Sequence, residues 1–304
     1  MIKNYPLPYR KLATAFATLF FIFAAYHSHA THLIGGNISY SYGGGDPNTP
    51  GNTLYTLTFQ AYLDCNSNNW SPGSPGGFPE DPITLGVYEG AIDDSLLARE
   101  QTMQMTVAGF DIIEPQLPAG CTFSIPTCVA LVEYTGTVSL PPSAEGFHIM
   151  YDRCCRPGGI ANLLNSGSQT LTYKCFIPSE ENSTNLLANN SAFFTDTLAS
   201  FICLNDTATI PNSAFDVDGD SLAYRLVTPF EGITSQANPV PNWGGPGYVT
   251  YPNPPPSVTW APGHDETQKF GPTGFQSINT QNGNTRFMAD NAGTFVATVE
   301  IEEY

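Results

Sequence analysis

Short stretches in which apolar and polar residues alternate run along the chain, separated by clusters of Gly, Pro, Asn and Ser. In HLIGGNISYSY (32–42), Ile34, Gly36, Ile38, Tyr40 and Tyr42 share one face at period two. The turn-like GGGDPNTPGN (43–52) then leads into LYTLTFQAYLDC, where Leu57, Phe59, Ala61 and Leu63 share a face. Successive strand residues point to opposite faces, so these two runs predict an antiparallel hairpin. Residues 66–82 form a long loop rich in Gly and Pro. Further strands are predicted at 83–89, 128–140, 169–178 and 146–155, the last with Phe147, Ile149 and Tyr151 facing one way. Residues 96–107 satisfy either a helix or a strand, and Thr102, Met103, Met105 and Val107 favour the strand.

The polar stretch SEENSTNLLANN (179–190) has no strand alternation and is the expected linker. Beyond it, strands are predicted at 201–210, 221–230 and 293–304, with a stretch rich in Pro, Gly and Trp at 231–263. No amphipathic helix of ten residues is predicted anywhere. The fold expected is all-β: two immunoglobulin-like antiparallel β-sandwich domains in tandem, 31–178 and 191–304. The final alternation of Phe295, Ala297, Val299 and Ile301 is still running at Tyr304, so a piece of a longer protein is expected as readily as a natural end.

Composition alters this picture first at the N-terminus. Lys3, Arg10 and Lys11 precede the apolar run LATAFATLFFIFAA (12–25), and Ser28 and Ala30 supply small residues at the −3 and −1 positions of a cleavage site. This is the layout of a secretory signal peptide over 1–30. The run is too short to span a bilayer comfortably, and direct membrane insertion is not expected. Without those three basic residues, seven remain against 27 acidic ones, a formal charge of −20. Such a chain repels phosphate backbones and anionic lipid, excluding nucleic acid as a partner, and attracts cations.

All seven cysteines (65, 121, 128, 154, 155, 175 and 203) follow the leader, and in an oxidising compartment they read as disulfides with one thiol left over. Cys121–Cys128 is the expected local staple. Neighbouring Cys154 and Cys155 point opposite ways in an extended chain, which sends them to different partners.

The turn DVDGDSLAY (216–224) gathers Asp216, Asp218 and Asp220 around Gly219. Carboxylates this close repel one another, and a Ca²⁺ ion taking oxygen ligands at about 2.4 Å relieves the repulsion. The spacing is not that of an EF-hand, since the glycine comes fourth and Val227 stands where the last glutamate belongs. Two readings stay open: a calcium turn with a fourth ligand from Asp290, or an Asp-Gly turn whose side chains cap its own amides. Trp70 and Trp243 are candidate glycan contacts, set against a packing role for them and for Trp260. His32, His148 and His264 are widely spaced and fit no hydrolase or zinc frame, so an enzyme is not expected.

Several motifs in order resemble a known class: THLIGGNISYSY, LYTLTFQAYLDC, FPEDPITLGVYEG, SLPPSAEGFHIMYDRCCRPGGIANL, and FDVDGDSLAYRLVTPF followed by SVTWAPG. They resemble the N-terminal region of large secreted cell-surface proteins of gliding bacteria, which use type IX secretion. The second half looks like a cadherin-like or PKD-like domain, in which such an aspartate turn is often linked to calcium. The resemblance implies a surface or gliding-associated adhesion module, partnered by further domains of a longer protein and by an extracellular protein or glycan surface. The class has cysteines where Val227 stands and near Asn190. It therefore implies that Cys203 is the free thiol and that Cys175 substitutes as partner for Cys154 or Cys155.

Overall fold

The computed structural model describes residues 33–65, 80–113, 121, 128–196, 201–243, 245 and 248–304. Residues 1–30, where a signal peptide is expected, His32 and Trp70 lie outside them. Seven strands build the main sheet from the first half: β1 (Leu33–Gly45), β2 (Thr53–Asp64), β3 (Ile83–Glu89), β4 (Leu96–Ile113), β5 (Val129–Leu140), β6 (Phe147–Cys154) and β7 (Thr170–Ile177). Eight shorter ones follow: β8 (Phe193–Phe194), β9 (Ala208–Ile210), β10 (Ala214–Phe215), β11 (Leu222–Val227), β12 (Thr250–Pro252), β13 (Phe275–Ile278), β14 (Thr285–Met288) and β15 (Thr298–Glu303). The fold is all-β, with antiparallel strand pairing throughout these elements.

The main sheet runs β1-β2-β5-β4-β3-β6-β7, and its two ends, β1 and β7, come back into contact as a curled half-barrel. Alternation explains its interior. Tyr55, Leu57, Phe59, Ala61 and Leu63 of β2 meet Val132, Tyr134, Val138 and Leu140 of β5, Leu85 and Val87 of β3, and Phe147, Ile149 and Tyr151 of β6. The face expected on β1 is corrected at its start. A register shift between Leu33 and Gly35 turns Leu33 inward (4% exposed) and leaves Ile34 outside (40% exposed). One irregular residue reverses the facing of a strand end, which period-two reading cannot anticipate.

The expected linker is a packed strap. Leu186 belongs to the main core, Ser179 bridges to Leu186, and the Tyr55 hydroxyl donates to Leu187 O at 2.7 Å. At its far end Ser191 N donates to Tyr40 O at 2.9 Å, and Ser191 Oγ accepts from Tyr40 N at 2.8 Å. The strap thus covers the free edge of β1, where unpaired backbone groups would otherwise remain.

The second half docks on the first. β12 pairs with β4, and Tyr251 joins Tyr88, Leu97 and Met150 in a second core, against which Ile233 and Trp243 pack. Every residue of β6 is therefore buried, on both faces. Two tandem immunoglobulin-like sandwiches are not confirmed by this strand pairing. The second half forms small sheets, β8 with β10, β11 with β15, and β13-β14-β9.

The cysteine pairing also differs from expectation. Cys65–Cys128 and Cys121–Cys203 lie at disulfide distance, with Cα separations of 5.2 and 6.0 Å, in place of Cys121–Cys128. Cys154 pairs with its neighbour Cys155 across a cis peptide bond, so the extended geometry assumed for them does not hold. Cys203 is bonded, and Cys175 is the free cysteine.

Candidate functional site

The aspartate turn connects β10 to β11. Gly219 adopts φ 89°, a conformation that side-chain-bearing residues rarely take, and this lets the backbone fold back on Asp216. Asp216 Oδ1 accepts from Gly219 N at 2.7 Å and from Asp220 N at 3.0 Å. That is the capping turn in its local form. It uses only one oxygen. Asp216 is 6% exposed, and its buried Oδ2 has no hydrogen-bond partner.

A third carboxylate arrives from the end of β15. Leu222 registers opposite Glu303, and Ser221 and Tyr304 exchange backbone hydrogen bonds beside them, at 3.1 and 3.0 Å. Asp216, Asp220 and Glu303 each offer one oxygen, all within 4.8 Å of one another. Burial holds the Glu303 carboxyl above the usual range against the donors Ala192 N and Asn189 Nδ2, and the charges of Asp216 and Asp220 push in the same direction. The ion pairs among the described residues join Arg153 to Glu80 and Arg225 to Glu300 and Glu302, so none of them neutralises this group.

The other expected ligands are placed elsewhere. Asp218 faces the strap and accepts from Asn190 N at 2.7 Å and Asn190 Nδ2 at 3.0 Å. Asp290 stands outside the three-carboxylate group and takes Thr273 N and Thr273 Oγ1, both at 2.9 Å, on Oδ2. Those bonds hold its carboxyl below the usual range. Glu303 was not anticipated, because its position beside the turn depends on the β11–β15 register.

A second polar cluster anchors the two halves. Fully buried Asp152 on β6 accepts from Thr234 Oγ1 at 2.6 Å, Ile233 N at 2.8 Å and the Tyr251 hydroxyl at 2.8 Å. Burial nevertheless raises its pKa. Gly232 passes so close that a Cβ there would fall 1.8 Å from Asp152 Oδ1. Arg156 donates to Thr170 O and Phe230 O, at 2.9 and 2.7 Å. The amides of Gln169 and Asn162 act as substitute peptide groups, each both donating to and accepting from the backbone at Thr259 and Val296, respectively.

Trp243 packs against Gly86 and neighbours Tyr88 and Tyr248, with ring centroids 6.4 and 5.4 Å away. Its ring is thus in contact with neighbours within the protein. Trp260 joins Ile160, Leu163 and Val258 in a small cluster. His148 is buried with Nε2 3.2 Å from Ala91 O, and His264 lies against Phe295. A cavity of about 220 Å³ sits apart from the acidic turn, lined by residues including Glu80, Tyr151, Asp152 and Arg153. Among the described residues no helix is long and apolar enough to cross a membrane. Searched against protein-family models, curated proteins and solved structures, the chain has no match.

Proposed function

We propose that the chain is a non-enzymatic extracellular structural and adhesion module of a bacterial cell-surface or gliding-associated protein, stiffened by disulfides and by calcium. The observation that carries this reading is the cross-linked interleaving of its halves. Cys121–Cys203 ties the first half to the second, and Cys65–Cys128 staples the paired ends of β2 and β5. Such links suit an oxidising exterior and limit unfolding of a body under load. The described surface beyond the core is largely loops, the usual carriers of recognition on a rigid scaffold.

The test is adhesion by the exported protein. Beads coated with the full chain are expected to hold to a surface against flow, and reduction of the disulfides is expected to release them. A glycan-array signal lost on Trp243→Ala would replace this reading with a glycan-binding module. Beads that never attach above an uncoated control would remove adhesion altogether.

A further inference from the structure

We infer that the cavity at the seam of the two halves is a pocket for one neutral sugar ring, held by Arg153 and Glu80 between apolar walls. The inference deepens the adhesion reading by naming what the module grips, and rests on that reading only for its use.

Three parts of the chain build the cavity. Pro82 and Ile83 come from the start of β3, Tyr151 and Arg153 from β6, and Val240 and Pro241 from the second half. Glu80, just before β3, joins the lining. Ligand pockets gather at such seams between docked parts of a fold. The second-half segment is pinned there, because Cys154 N donates to Pro239 O at 3.0 Å. Val240, 52% exposed, stands where the cavity meets solvent.

The polar groups are set before any ligand arrives. Arg153 is 6% exposed and pairs with Glu80 through Nη2. Glu80 is held in turn, its backbone oxygen by the Tyr134 hydroxyl at 2.9 Å and its Oε2 by the Tyr151 hydroxyl at 3.2 Å. Arg153 Nε and Nη1, in contrast, are buried without a hydrogen-bond partner among the described residues. A guanidinium keeps its charge and its five donors, so two unmet nitrogens beside apolar walls are costly.

Size and charge select the ligand. A cavity of about 150 Å³ admits a benzene ring, and drug-sized ligands need roughly 300 Å³ or more. The space here, about 220 Å³, therefore suits a single six-membered ring with small substituents. An anion would meet Glu80 and the neighbouring Asp152, and a cation would meet Arg153. A neutral ring of hydroxyls avoids both, since each hydroxyl can accept from Arg153 and donate to Glu80. Its C–H face suits Pro82, Ile83 and Val240. Asp152 is already committed to Thr234, Ile233 and Tyr251 and is not among the ligand's partners. An aromatic ring fits by size but leaves the guanidinium unmet.

The experiment titrates the full oxidised chain with glucose, galactose, mannose and N-acetylglucosamine, and with the charged sugars glucuronate and glucosamine, read by saturation-transfer NMR. At least one neutral sugar is expected to bind with a Kd of about 1 mM, the range open to so small a ligand, and about tenfold tighter than either charged one. Val240→Trp fills the open side and should weaken binding by about tenfold or more at unchanged Tm. Val249→Trp, 50% exposed and outside the lining, should bind as the native chain does. Arg153→Lys keeps a charge beside Glu80 but loses the planar fork, and should weaken binding by a similar factor. The pocket is overturned if no neutral sugar binds at about tenfold above that Kd, if both pocket variants bind like the native chain, or if glucuronate matches the best neutral sugar. Binding lost on Trp243→Ala but kept in both pocket variants also overturns it. A chain that binds the sugar while its coated beads never attach keeps the pocket and removes adhesion. Beads that hold while the chain binds none of these sugars keep adhesion and overturn the pocket.

Discussion

The first half of the molecule and the second are held by different forces. Strands β1–β7 bury one continuous apolar interior, with Tyr55, Leu57 and Phe59 at its centre. Among the described residues the second half has no strand longer than six residues, and its own apolar cluster is small, built on Phe270, Phe287 and Ala289. Its order comes from docking. Tyr251 and Trp243 cover the outer face of β3, β4 and β6, while Asp152, Arg156, Gln169 and Asn162 fasten the covering loops. A half with long alternating strands can make its own core, whereas a half made of turns must share one.

The largest expected effect sharpens this contrast. Phe59→Ala empties the centre of the first half's interior and should lower global stability by about 3–5 kcal/mol in urea unfolding. If only part of the signal shifts, the second half does not unfold with the first. Next comes the tie between halves. Replacing Cys121 and Cys203 together by Ser reopens a loop of separation 82 and should cost about 4 kcal/mol on chain-entropy grounds. The same treatment of Cys154 and Cys155, neighbours in sequence, removes almost no loop entropy. Equal losses at the two pairs would contradict a role for the long tie.

Acid should act through the doubly buried strand. Burial drives His148 from 6.5 down to about 4. The unfolded chain takes up a proton below its own pKa that the folded chain refuses, so stability from this group is lost as pH falls from about 6.5 to about 4, by up to about 3 kcal/mol. Glu80, Asp152 and Glu303, raised by burial, oppose that trend because the folded state retains their protons. The measurement is therefore a difference: His148→Gln should lose less stability between pH 7 and 4 than the native chain, and parallel curves would refute the assignment. The smallest effect belongs to the open surface. Arg225, 55% exposed, pairs with Glu300 and Glu302, and Arg225→Ala should cost under about 1 kcal/mol.

These contrasts also mark how far the sequence could be read. Strands β2, β3, β5, β6 and β7 lie where alternation placed them, because each turns one face to an apolar interior. The bulge at the start of β1 escaped, since no residue type announces it. So did the β13–β14 hairpin, although the Asn282-Gly283 dipeptide between its strands is a turn signal. The aspartate turn was recognisable from its own spacing. Its third carboxylate was not, because Glu303 reaches it only through the pairing of β11 with β15. Cysteine connectivity was likewise beyond reach: Cys121 and Cys203 meet only after the second half has docked. The strap at 179–190 looked like a linker because its anchors are polar, with Leu186 its one core residue.

The central claim is that the two halves are one cooperative body, and scanning calorimetry of the full oxidised chain tests it most directly. A single transition is predicted, with calorimetric and van't Hoff enthalpies equal within error. Two resolved transitions, or a proteolytic cut within 179–190 that leaves both pieces folded with unchanged melting temperatures, would contradict it.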